Sequence, residues 1–178
     1  MNPVIAVFGA SRLPPGDQEY LAGVECGRRL AAAGFTVATG GYGGIMEAAC
    51  RGAGEAGGST IGVTAPTVFP DRSGANQWVQ HELAAEDLIQ RIGILTSIAS
   101  GYIAMPGSLG TLGELLIAWN LAFVAPFSDA SFGPIVAVGE TWSRVVPELA
   151  DQLEIDGDYL ATVLTVEEAV SYLVKALA

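Results

Sequence analysis

A chain of 178 residues that is 51% hydrophobic and 15% charged carries enough apolar material for one core and too much for a disordered segment. Eight Lys and Arg against nineteen Asp and Glu leave a net charge of −11 with no basic cluster, which excludes an electrostatic footprint for a nucleic-acid backbone. The single lysine, Lys175, and single histidine, His81, exclude a pyridoxal phosphate enzyme, a P-loop and a multi-histidine metal site. No apolar run reaches the roughly 18 to 20 residues that cross a bilayer, and the N-terminus lacks signal-peptide features, so a cytoplasmic protein with no membrane partner is expected. Cys26 and Cys50 have no CxxC or Cys/His neighbour and are expected in the core, with no metal bound.

Short apolar runs alternate with helical periodicity along the whole chain, the pattern of an α/β fold with a parallel sheet covered on both faces. Pro3 to Phe8 is expected as a strand, followed by the Gly9-Ala10-Ser11 corner and by Pro14 and Pro15, which suit a turn and a first helical position. Residues 17–33 suit a helix with Tyr20, Leu21, Val24 and Leu30 on one buried face, closed by Gly34. Phe35 to Thr39 is the second expected strand, Ile45 to Gly54 a helix and Thr60 to Val63 the third strand. The stretch from Thr64 to Gln80, with Pro66, Pro70, Asp71, Ser73, Gly74 and Asn76, is the longest expected loop. A helix over residues 82–99 follows, with His81 at its start or in the loop before it. After it come the strand Tyr102 to Met105 and a helix carrying Leu112, Leu115, Leu116 and Trp119, which its apolar residues mark as buried. Pro134 to Val138, Trp142 to Leu153, Ala161 to Leu164 and Val166 to Leu177 complete the alternation. One domain over residues 1–178 is expected, with neither repeat nor linker.

Three glycine-rich turns follow expected strands: Gly9 to Ser11, Gly40 to Gly44, and Pro106 to Thr111. In a parallel sheet their strands end on one edge, where ligands bind, and glycine lets backbone amides approach an anion closely. A phosphate is the expected guest. The dinucleotide fingerprint fails, because Met46 stands where its third glycine belongs, which disfavours a nicotinamide dehydrogenase. Glu114 lies in the first turns of the helix after the third corner, with its side chain directed back over Thr111 and Gly110. Its competing role is a dipole partner at the helix start. Arg91 interrupts the apolar run Leu88, Ile89, Ile92, Ile94, Leu95 and needs either a buried anionic partner or an i, i+4 pair with Asp87. Glu47 suits a ribose hydroxyl or a helix dipole equally. Trp78, Trp119 and Trp142 are expected as core or interface packing.

The segment Thr39-Gly40-Gly41-Tyr42-Gly43-Gly44-Ile45-Met46-Glu47 and the segment Pro106-Gly107-Ser108-Leu109-Gly110-Thr111-Leu112-Gly113-Glu114 resemble the two motifs of the LONELY GUY family, the second being P-G-G-x-G-T-x-x-E. That family is often mislabelled lysine decarboxylase, a label the lone Lys175 argues against. The resemblance implies a Rossmann-like fold, a homodimer, and hydrolysis of a nucleoside 5′-monophosphate to free base and ribose 5-phosphate without a cofactor. It implies Arg91 and Glu114 as catalytic residues. Gly9, Ser11, Gly40, Gly41, Gly43, Gly44, Glu47, Gly107, Ser108, Gly110 and Thr111 are the candidates for binding the nucleotide and its phosphate. Two departures stand out: Ser108 replaces the signature's second glycine, and Ile92 follows Arg91 where cytokinin-activating members carry lysine. Serine can still donate to a phosphate. The alternative of another class is a nucleotide-binding or molybdenum-cofactor carrier protein of the same fold.

Overall fold

The computed structural model describes residues 2–72, 74–128, 131–155 and 157–178; Ser73 of the long loop lies outside them. Its strands are β1 (Val4–Phe8), β2 (Thr36–Thr39), β3 (Thr60–Thr64), β4 (His81–Ala84), β5 (Gly101–Ala104), β6 (Ile135–Val138) and β7 (Ala161–Val163). They form one parallel sheet of order β4-β3-β2-β1-β5-β6-β7. The helices are α1 (Gln18–Ala32), α2 (Ile45–Glu55), α3 (Leu88–Ile98), α4 (Leu109–Val124), α5 (Glu140–Gln152) and α6 (Val166–Ala176). The expected Rossmann-like α/β architecture is thus present.

Side-chain alternation along the strands divides the core. Ile5, Val7, Ile103, Val136 and Val138 pack with residues of α1, α2 and α6, whereas Ala6, Phe8, Tyr102, Ala104 and Ile135 pack with α3, α4 and α5. Both faces are therefore covered, and the central strands read as unbroken apolar runs. The strand order reverses between β1 and β5, and this switch point fixes where a crevice opens at the carboxyl edge. There the Ala10 amide donates to the Pro106 carbonyl over 3.1 Å, tying the first glycine corner to the third.

Several expectations are corrected. Residues 81–84 form a parallel edge strand, so His81 sits exposed in β4 and the helix begins only at Leu88. Glu82, Leu83 and Ala84 are good helix formers, but pairing with β3 overrides that preference. The prolines precede α1, whose N-cap is Asp17, accepting from the Glu19 amide. Leu21 is 53% exposed and is not part of that helix's buried face. In α4 the inner face of Leu115, Ala118, Trp119 and Ala122 is buried, but Leu116 is exposed, as are Leu109, Phe123 and Val124. With the following 3-10 turn it makes a 19-residue helical stretch, Leu109–Phe127, long and apolar enough by length and composition to cross a membrane. Here that apolarity is divided between packing on the sheet and an uncovered outer stripe. Cys26 and Cys50 are buried and free, and Trp119 and Trp142 are buried.

Candidate functional site

Arg91 and Glu114 meet. The Arg91 side chain leaves the buried side of α3 and runs under the carboxyl edge, where its Nε donates to the Val63 carbonyl at 2.8 Å. Nη1 donates to Glu114 Oε1 at 3.2 Å, and Nη2 lies 3.6 Å from the Met46 sulfur. Both residues are buried, with Arg91 5% and Glu114 9% exposed. Asp87 does not pair with Arg91; its carboxylate caps α3 by accepting from the Gln90 amide. The guanidinium centre stands 5.7 Å from the Tyr42 ring centroid, a cation–π contact that braces it from one side.

Glycine makes room for this arrangement. A Cβ on Gly40 would stand 1.5 Å from Arg91 Nη2, so any side chain there would expel the guanidinium. Gly44 has φ +66°, and a Cβ on it would stand 2.2 Å from the Ala10 carbonyl oxygen. That carbonyl accepts the Ile45 amide at 2.8 Å, and the Gly41 amide donates to the Thr39 hydroxyl at 3.1 Å. The Gly40–Gly44 turn is therefore largely occupied with seating Arg91 and docking the first corner, leaving Gly43 open beside the Ser11 carbonyl and Glu47. Gly9 backs onto Ile45, and Glu47 sits half-buried in the first turn of α2.

The third corner differs. Ser108 is the N-cap of α4, its side chain makes no capping bond, and Gly107, Ser108 and Gly110 are exposed. The first-turn amides of Leu109, Gly110 and Thr111 have no intrahelical acceptor. Thr111 is buried beneath Gly107, where its hydroxyl would stand 2.1 Å from an added Cβ. One turn further along, Glu114 uses Oε1 toward Arg91, and among the described residues its Oε2 has no hydrogen-bond partner. Burial pushes the Glu114 carboxyl up to about 6, against the neighbouring Arg91 charge that pulls it down.

Sequence reasoning missed the parts that hold this pair from far along the chain. These are the Val63 carbonyl, the Met46 sulfur, the Tyr42 ring, and Asn76, whose Nδ2 donates to the Gly41 and Tyr42 carbonyls at 3.0 and 2.9 Å. Tyr42 also accepts the Ala65 amide at its hydroxyl, 2.8 Å away, so the 65–80 loop is pinned onto the second glycine turn. A cavity of about 410 Å³ opens elsewhere, between α1 and α6, and meets the candidate residues only at Pro106.

A family model described as the SLOG cluster4 family matches residues 2–124, a span that contains both glycine motifs, Arg91 and Glu114. The chain belongs to the SLOG cluster4 family. It is 31% identical over 121 residues to a cytokinin riboside 5′-monophosphate phosphoribohydrolase of Mycobacterium marinum. That match covers 67% of this chain and 64% of the relative, so the chain spans just under two thirds of that protein's length. Among solved structures, a molybdenum cofactor binding protein of Rippkaea orientalis superposes with a TM-score of 0.80 at 20% identity, covering 100% of this chain and 99% of that one. The molybdenum cofactor carrier protein of Chlamydomonas reinhardtii gives 0.76 at 23% identity, covering 99% of each chain. These two likenesses establish the fold, and this SLOG chain shares it from end to end.

Proposed function

We propose that this SLOG protein hydrolyses the N-glycosidic bond of a purine nucleoside 5′-monophosphate, releasing free base and ribose 5-phosphate. The observation that carries this reading is the buried Arg91–Glu114 pair, with one carboxylate oxygen unpartnered among the described residues, near the start of α4, which has no side-chain cap. The phosphate is held by the amides of Gly110 and Thr111, with Gly107, Ser108, Gly9 and Ser11 around it and Gly43 and Glu47 beside the sugar. Water adds to C1′, the C1′–N bond breaks with its electron pair passing to the base, and the base takes up the proton. Glu114 faces the ribose, where an ionised carboxylate stabilises the oxocarbenium-like state or takes the proton of the attacking water. Arg91 orients Glu114. The M. marinum relative supports the same chemistry. Incubation with AMP and isopentenyladenosine monophosphate is expected to release base and ribose 5-phosphate; no base from any nucleotide in a broad panel would end this reading.

A second reading, binding of a nucleotide or molybdenum cofactor without turnover, is favoured by the end-to-end superposition on the two molybdenum-cofactor proteins. It predicts saturable binding with no product. The proposal includes a homodimer, supported by the uncovered apolar stripe of Leu88 and Ile89 on α3 and Leu109, Leu116 and Phe123 on α4. Light scattering should return twice the chain mass, and a monomer mass would remove that part.

A further inference from the structure

Four of the eight basic residues, Arg28, Arg29, Arg51 and Arg91, are spent in ion pairs. Arg72, in the 65–80 loop, is not. Its guanidinium centre lies 4.4 Å from the Tyr42 ring centroid and 4.3 Å from that of Phe69, and the two rings meet edge to face at 5.4 Å. Among the described residues its guanidinium has no hydrogen-bond or ion-pair partner. The Glu82 carboxylate, which lies beside Gly74, accepts the Thr64 hydroxyl at 2.7 Å. A half-buried arginine resting against two rings set nearly at right angles is held in place by both, and a cation–π contact leaves guanidinium N–H donors free for an acceptor.

Its position defines what that acceptor belongs to. Tyr42 is shared by two cations, Arg72 at 4.4 Å and Arg91 at 5.7 Å, so their guanidinium centres cannot be more than about 10 Å apart, the sum of those distances. Arg91 is neutralised by Glu114. Arg72 has no such partner among the described residues, so of the two cations on this ring it is the one left to meet an anion from outside the protein. The α4 amides lie beyond β5, and Tyr42 follows β2 on the other side of β1, so Arg72 stands at the end of the site away from the phosphate. A nucleotide gripped by its phosphate at α4, with its sugar at Glu114, presents its base toward Tyr42 and Arg72.

We infer that Arg72 is a specificity residue that binds an anionic group on the base side of the ligand, so that the preferred guest is a nucleotide charged at both ends. This rests on the phosphate and sugar placement proposed above and adds the base substituent to it. An apolar N6 chain of the cytokinin type would leave the guanidinium donors unmatched, whereas a carboxylate pairs with them bidentately.

The test compares three monophosphates that differ only at N6: AMP, N6-isopentenyl-AMP and N6-(1,2-dicarboxyethyl)-AMP, titrated calorimetrically into the full-length protein. The dicarboxyethyl compound is expected to bind at least tenfold more tightly than the isopentenyl one. In Arg72→Gln that ratio should fall to within threefold of one, and Arg72→Lys should restore part of it. Equal affinities in the unaltered protein, or a ratio that survives Arg72→Gln, would overturn the inference. Should the glutamine variant fail to fold, the ratio in the unaltered protein and in Arg72→Lys still decides. Base release from AMP is scored separately, so hydrolysis without the preference sinks this inference alone, and the preference without hydrolysis sinks only the catalytic reading.

Discussion

Glu114→Gln is expected to lower kcat for base release by about 10² to 10⁴ while AMP affinity stays within a few-fold, because the amide keeps the shape and loses the charge that develops its value in the transition state. The variant also removes a proton-linked switch. In the folded protein burial raises the Glu114 carboxyl to about 6, so the ionised form that the proposed reaction requires fills only above that pH. The rate should rise about tenfold per unit up to pH ~6 and then level. A rate limb at that pH that persists in Glu114→Gln would assign it to another group. Stability carries the opposite sign. The folded state holds this proton up to about pH 6, whereas the unfolded chain releases it near 4.5. The favourable contribution is therefore full below 4.5 and lost as pH rises through 6, a change of about 2 kcal/mol at 1.36 kcal/mol per unit. Denaturant titrations at pH 4.5 and 7 should show this difference shrink in the glutamine variant.

The same carboxylate shows how far sequence carries. Its helix and its backward-pointing direction followed from the Pro106 to Thr111 corner and 3.6-residue periodicity, both local properties. Arg91 was legible as an anomaly in an apolar helix, but its partner was not. Asp87 and Glu114 were both acceptable acids, and the choice depends on Asp87 being occupied with the Gln90 amide. The contacts to Val63 and Met46 cross 28 and 45 positions, distances at which no sequence period operates. The central strands were readable because both their faces are buried. Strand β4 was not, since all four of its residues are exposed and only backbone pairing with β3 makes them extended. The outer face of α4 failed for a related reason: apolar residues mark a face that avoids water without saying whether the same chain supplies its cover.

Arg91→Met should destabilise the protein by about 3 to 5 kcal/mol, because it leaves the Glu114 carboxylate buried beside a neutral side chain and strips the Val63 carbonyl of its donor. For a chain of this size that is a fall in Tm of roughly 6 to 20 °C. Removing both charges reverses most of the loss. Arg91→Met with Glu114→Leu has no unpaired ion to bury, and buried ion pairs replaced by apolar groups of similar volume are often neutral to stability. The cycle of two single variants and the double one should give a coupling of at least about 3 kcal/mol, since each single variant strands a buried charge and the double one does not, and no member of it should turn over AMP. Additive losses would mean that the 3.2 Å contact is incidental to folding. Recovery of stability without activity is the expected result, because it separates the two uses of the pair. The guanidinium pulls down a carboxyl pKa that burial pushes up, and the fold tolerates the buried carboxylate charge only while that partner is present.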